Sequence, residues 1–551
     1  MKLLSVLCAC SFVLAFRAGA LEYYVDNTVG DDKFSGTSKT VAENKVGPFR
    51  SITKAVLAAK AGDTVLVIPT GKPYRETVNL YGMKNGEPGK PITIDGQGVT
   101  VSGAEECPPA GWRIWKDDVV MRDDFPWKAA GGSYTPFSVV FVVDGKLQLE
   151  TTACDVLQPG EFCYIPLASN RLFYRPKDKT VPEIEVGQPD GAAVNLDNKA
   201  WQSSGMNSIL RYNGLKAPTW VKCNGADVPL ITAMERLEPG QFTVAGKMLY
   251  YRLPKGKTAA GLRTEAVVRD NGVQLGGSTS HVIIKNFNVS HVSNDGYNIH
   301  GAAKHIEFYN CNATHCGDEG FSSHETCETL LDGAVYAYCD NGITNVTESV
   351  SVTKNVICAY SRHTGYEMQQ QSKHTLENII LLDNPGQLGG TGKVMKADNV
   401  LIVRTSPGAP SQAINLAGAV ELSRFTVAGN SALLRYMGGT GFSMDRCLFA
   451  AGQGGIHVRQ DDVVTPFALK KVRFGEDSKM EYGGRPPFKI QTVKQWLSTL
   501  AEAGKVQDAA IEETAWAAAI VNGKVPSSLP EGIGCSKELL ARFCDFITGK
   551  H

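Results

Sequence analysis
Residues 271–325 repeat with a period of 24. His281 recurs as His305, Asn286 as Asn310, Asn288 as Asn312, His291 as His315, Gly296 as Gly320 and His300 as His324. Asp295 recurs as Glu319, and Tyr297 as Phe321. A period this short, with β-branched segments between Gly and Asn turns, points to coils of a parallel β-helix. One such unit cannot bury its apolar face alone, so each coil must stack on the next. Equivalent residues then lie about 4.8 Å apart. The repeat therefore sets Asp over Glu and His over His.

Most of these ladders have a plain structural reading. Asn286/Asn310 and Asn288/Asn312 suit turns, where side-chain amides satisfy backbone groups. His281 and His305 begin strands and are expected to be structural or exposed. Stacked acids differ. Asp295 against Glu319 costs repulsion unless a cation lies between them or one takes a proton. Folding does not require that cost, so the position points to function. Eight of the ten histidines also fall between 281 and 374, beside Asp295, Asp318, Glu319, Glu325 and Glu367.

The rest of the chain fits around this segment. Residues 1–20 read as a secretory signal: Lys2, an apolar run, then Ala18-Gly19-Ala20. This predicts a secreted or periplasmic protein without a membrane span. In 21–103, Ser51 is an N-cap and Ile52, Ala55, Val56 and Ala59 share one helical face, which predicts a helix capping the first coils. Residues 104–265 carry an internal duplication, 139–180 against 219–258, with hairpin dipeptides Asp144-Gly145 and Asn224-Gly225. They read as an inserted β domain of two antiparallel units. Its aromatic residues (Trp112, Trp115, Trp127, Trp201, Trp220, Tyr250, Tyr251) either wall a sugar site or fill the insert's own core, the commoner outcome. Residues 266–480 return to coils, and 481–551 read as a helical tail packed on the far end. The fold expected is all-β: a right-handed parallel β-helix with an N-terminal helical cap, inserted antiparallel β units and a helical C-terminal tail.

The formal charge is zero, with no long basic run, so nothing points to nucleic acid. A monomer is expected. Twelve cysteines remain after the signal, which predicts some disulfides in an exported chain. Cys311 stands where the previous coil has Phe287, and is expected to be a buried free thiol. No CxxC pair supports a zinc site.

Three chemistries use stacked acids. Glycoside hydrolysis pairs a nucleophile or base with an acid, and coils about 4.8 Å apart favour the close carboxyl spacing, about 5–5.5 Å, of retaining enzymes. A calcium-dependent lyase holds Ca²⁺ on carboxylates while a Lys or Arg takes the C5 proton of a uronate. A non-catalytic surface repeat protein would only bind polysaccharide or Ca²⁺. The catalytic candidates are Asp295, Glu319, Asp318 and Glu367. The substrate-binding candidates are His300, His324, His363, Arg362 and Tyr366, with Lys354 a further cation. No cofactor is required, and if calcium binds, its ligands are Asp295, Asp318 and Glu319.

Family resemblances bear on this choice. The stretches GPFRSITKAVLAAKAGDTVLV, PYRETVNL and ITIDGQG resemble the opening of secreted pectate-lyase-like β-helix proteins. NDGY at 294–297, NCNATHCGDEGF at 310–321 and GYEM at 365–368 resemble polysaccharide lyase family nine. That resemblance implies calcium ligands at Asp295, Asp318, Glu319 and Ser322 and a catalytic lysine at Glu367. Neither Ser322 nor Glu367 suits the role it is given. The insert with LEPGQF and LYYRLPKG, followed by the NDG and DEG coils, resembles β-helix glycoside hydrolases of the β-xylosidase and α-fucosidase type. That resemblance implies Asp295 and Glu319 as the acidic pair, acting on a polysaccharide or oligosaccharide, and it covers more of the chain. Hydrolase therefore stands ahead of lyase.

Overall fold
The computed structural model describes residues 20–549 except 124–139, 160, 166–170, 178–182, 190–191, 204–209, 213–218, 225, 229, 246–247, 262, 406–413, 430–431, 452–455, 461–466, 476–477, 483–488, 513–514 and 528. Residues 1–19, most of the segment read as a secretory signal, and Trp127 lie outside the described residues.

The body is a parallel β-solenoid, as the repeat predicts. Its coils hydrogen-bond into a 17-stranded and a 12-stranded sheet. Register follows the sequence period: Val282 pairs with Ile306, Asn288 with Asn312, and Tyr297 with Phe321. The long strand Ser280–Val292 serves two faces of a coil because it bends at Asn286, which has φ 58°. Asn tolerates that left-handed conformation better than most residues. The Asn ladder satisfies itself along the axis: Asn310 donates to Asn286 (3.2 Å), Asn378 to Asn355 (2.9 Å) and Asn399 to Asn378 (2.7 Å). At the next bend along the coil the left-handed positions hold His291, His315, Tyr338 and Tyr360. Their rings stack at 5.6, 5.0 and 5.2 Å in turn.

The first helix, α1 (Ile52–Ala58), closes the N-terminal end. Ser51 caps it, and Ile52, Ala55 and Val56 enter the solenoid core. At the other end α2 (Val493–Glu502) inserts Val493, Trp496 and Leu497 into the same core. The tail is not wholly helical. Val506–Glu512 is a strand pairing in parallel with Phe467–Gly475. Helices α3 (Ala515–Val521) and α4 (Lys537–Ile547) cover a flank of the coils, over Ala359, Leu382, Leu401 and Val403, rather than the end. No helix among the described residues is long and apolar enough to cross a membrane.

The insert leaves the solenoid at Ala104 and returns at Val267, which pair antiparallel. Between them its strands form four small four-stranded sheets. The duplicated halves exchange partners. The first core packs Phe141 of the first copy with Phe242, Leu249 and Tyr251 of the second. The second packs Leu172 and Tyr174 of the first with Val221 of the second. Trp112 lies on Phe141 and Tyr251, and Trp201 on Tyr174 and Tyr212, so these rings fill the insert's own cores.

Among the described residues the expected disulfides are absent: the twelve cysteines from Cys107 to Cys544 are free thiols. Most serve as core residues, and Cys311, 1% exposed, is buried and unpaired as expected. Cys154 and Cys163 lie 3.1 Å apart at sulfur.

Candidate active site
The 12-stranded sheet carries the site. Within it Tyr297–Ile299, Glu319–Ser323, Asn341–Asn345 and Thr364–Met368 stack in order. Each strand is entered through a glycine. A Cβ on Gly296 would lie 2.5 Å from the carbonyl oxygen of Gly320, and one on Gly320 would lie 2.7 Å from that of Gly342. Only glycine lets the coils approach so closely, and this brings the acids just before them together.

Asp295, Asp318 and Glu319 each offer a carboxylate oxygen within 4.8 Å of the others. Asp295 is 2% exposed. Its Oδ2 accepts from Asn298 Nδ2 (2.6 Å) and Ser322 Oγ (2.5 Å). Its Oδ1 has a longer contact, 3.3 Å, from the Glu319 N–H. Asn341 donates to Glu319 Oε1 at 3.3 Å. Burial, then the charges of Asp295 and Asp318, push Glu319 well above the usual carboxylate range. Burial, then Asp295, push Asp318 up to about 7. Oδ1 of Asp318 is buried without a hydrogen-bond partner. One protonated carboxyl beside carboxylates, in a shielded site, is the arrangement an acid catalyst needs.

His300 and His324 share this face. Their rings stack at 4.0 Å, and the charge of Asp295 reaches His324. Burial, then His300, lower the pKa of His324.

Other candidates are placed differently. Tyr366 faces the core, fully buried, where Asn345, Thr353 and His374 hydrogen-bond its hydroxyl; it cannot contact substrate. Arg362 and His363 are committed to Asp340, which is 1% exposed. Arg362 also donates to the carbonyls of Cys316 (3.2 Å) and Gly317 (2.8 Å), bracing the segment that carries Asp318. Lys354 stands in the other sheet and pairs with Glu377. Glu367 follows Ser322 and Thr344 in register, two coils beyond Ser322 or about 10 Å along the axis. It accepts from Gln369 at 2.8 Å.

Asn298, Asp340 and the aromatic corner were not legible as site residues. Asn298 occupies the place of Ser322 one coil earlier, so the period did contain that signal. At the corner, His291 Nε2 lies 3.0 Å from the Gly145 carbonyl and ties the insert's hairpin to the coil bearing Asp295.

No model of a known protein family matches the chain, and no curated protein matches it. Solved structures similar to this chain include the following two. One, described as the complex of XylC with xylose, is 13% identical over 89% of this chain and 83% of its own, with TM-score 0.44. The other, a glycoside hydrolase, is 11% identical over 94% of this chain and 100% of its own, with TM-score 0.45. At these values neither carries weight for the activity, and the chemistry below rests on this chain's own residues.

Proposed function
We propose that the protein cleaves glycosidic bonds of a polysaccharide or oligosaccharide as a retaining glycoside hydrolase. The observation that carries this is the close Asp295–Glu319 pair on adjacent coils, where burial and the charges of Asp295 and Asp318 push Glu319 well above the usual carboxylate range. Carboxylate oxygens within 4.8 Å of each other favour the close spacing of retaining enzymes over the separation of about 6.5–9.5 Å that holds the water of inverting ones. Glu319 protonates the leaving oxygen. Asp295 Oδ1 attacks the anomeric carbon while Asn298 and Ser322 hold Oδ2. Glu319, now ionised, takes a proton from the water that releases the sugar.

Calcium-dependent lyase chemistry is the second reading. Three carboxylates around an unpartnered buried oxygen fit a hard cation such as calcium. Such an ion would neutralise a uronate, with Asp295, Asp318 and Glu319 as its protein ligands. The base is what this reading lacks, since Glu367 stands where the resemblance asks for lysine and Lys354 is on another face. A binding-only protein would leave its acids singly in solvent, and their clustering speaks against that.

The test is digestion of a panel of neutral and uronate-containing polysaccharides, with and without EDTA. Release of reducing ends without the ultraviolet absorbance of unsaturated uronate is expected. Asp295→Asn and Glu319→Gln should each lower the rate by about 10²–10⁴-fold. Absorbance that EDTA abolishes would overturn the proposal, as would full activity in both variants.

A further inference from the structure
We propose that Glu367 and the bare backbone at Gly389 form a subsite that takes an uncharged sugar residue and rejects a uronate, so that the substrate is a neutral glycan. This rests on the hydrolase reading above and narrows its substrate. The outward column of the 12-stranded sheet runs Asn298, Ser322, Thr344, Glu367, Gly389 in register. Asn298 and Ser322 both reach Asp295 Oδ2, so the column lies on the side of the sheet that holds the acids. Its first three members are short, uncharged and buried. Glu367 is the first beyond the acids to be partly exposed. It stands about 10 Å from Ser322 along the axis, within reach of a short oligosaccharide whose scissile bond lies at Asp295.

The surroundings of Glu367 suit hydroxyl groups. Gln369 donates to its Oε1 at 2.8 Å and orients the side chain. Oε2 has no partner among the described residues and is left to accept from sugar hydroxyls. Glu367 also has no ion-pair partner among the described residues. The cations just before it in the chain, Arg362 and His363, both serve Asp340. A uronate carboxyl beside Glu367 would meet like charge with no cation to offset it, which lowers affinity about 10–100-fold. One coil further the floor opens. A Cβ on Gly389 would meet nothing closer than 3.9 Å, and the φ of Gly389 lies outside the left-handed region. A side chain could stand there without strain, so the glycine leaves usable space. Gly390 differs, because a Cβ there would lie 1.6 Å from the Met368 carbonyl oxygen.

The test measures binding rather than turnover. The full chain carrying Asp295→Asn, which also removes the charge of Asp295, is titrated by calorimetry in EDTA. The probes are oligosaccharides of glucose and of mannose, each beside its C6-oxidised uronate counterpart. At least one neutral member should bind, about 10–100-fold more tightly than its counterpart at low salt, and the ratio should shrink as salt is added. Adding Glu367→Gln should lower the ratio about 10-fold, and Glu367→Lys should invert it. Gly389→Leu should weaken the neutral member at least about 10-fold by filling the space beside Glu367. Circular dichroism confirms that each variant is folded. The proposal is overturned if the uronate member binds as tightly as the neutral one, if Glu367→Gln leaves the ratio unchanged, if Gly389→Leu changes nothing, or if no neutral member binds. Product chemistry tests the hydrolase reading separately. Unsaturated uronate among the products would sink that reading, whereas reducing ends together with an unchanged ratio in Glu367→Gln would sink this inference alone.

Discussion

Asp318→Asn removes one negative charge from the acidic cluster while nearly keeping its shape. The Asp318 carboxylate lies within 4.8 Å of that of Asp295. Two unit charges at that distance repel by about 3.5 kcal/mol at an effective dielectric of about 20, and by about half that at about 40, as partial solvent access requires. The pH dependence follows from the direction of the shift. Asp318 is raised to about 7 in the folded chain, against about 3.9 unfolded. The folded protein therefore binds this proton more tightly. The cost of ionising it is absent below the unfolded value and fully present above the folded one. In EDTA, the Asn variant should be more stable than wild type by about 2–3 kcal/mol at pH 8, and equal to it within about 0.5 kcal/mol at pH 4. Urea unfolding at several pH values measures this. A variant less stable than wild type at pH 8, or a difference that does not change with pH, refutes the reasoning. Adding calcium should reverse the order at pH 8 if the cluster holds that ion.

Three further outcomes are expected. Ser322→Ala removes one of two donors to Asp295 Oδ2. A hydrogen bond to a charged group contributes about 1.5–3 kcal/mol, so kcat/KM should fall about 10–100-fold; an unchanged rate counts against Asp295 as the reacting carboxylate. Arg362→Met strips the buried Asp340 of its guanidinium partner and should destabilise the fold by about 3–5 kcal/mol in urea titrations. Unchanged stability with a raised KM would instead make Arg362 a substrate contact. Cys154 and Cys163, 3.1 Å apart, should form a disulfide by exchange with oxidised glutathione; both thiols remaining alkylatable after denaturation would exclude it.

The coil period and the stacked acids were legible because 271–325 repeats without insertions, so register could be counted from His, Asn and Gly alone. Beyond 325 the spacing shortens. Asp332 and Asn355 bond at a separation of 23, and Asp340 and Arg362 at 22. With the phase lost, the pairing of Arg362 with Asp340 could not be foreseen. Tyr366 did carry a signal, since it follows Tyr297, Phe321 and Ile343 in one inward column. Reading GYEM through a family motif hid that column. Val506–Glu512 passed for helix because its Ala content fits helical propensity, whereas an open strand edge at Phe467–Gly475 decides its state. Disulfides were inferred from compartment and count, but ladder positions inside a coil accept a thiol as a small apolar group.

The exchanged halves of the insert bear on how the chain can be cut. Each small core draws strands from both copies, so deleting one copy would break both cores and leave neither unit whole. The boundary of the entire insert is different. Ala104 and Val267 are cross-strand neighbours, about 5 Å apart at Cα. Residues 105–266 thus leave and rejoin the solenoid at nearly one point. They form a removable cassette, and a short turn in their place would let the coil on Ile92–Ser102 run directly into the coil that carries Asp295.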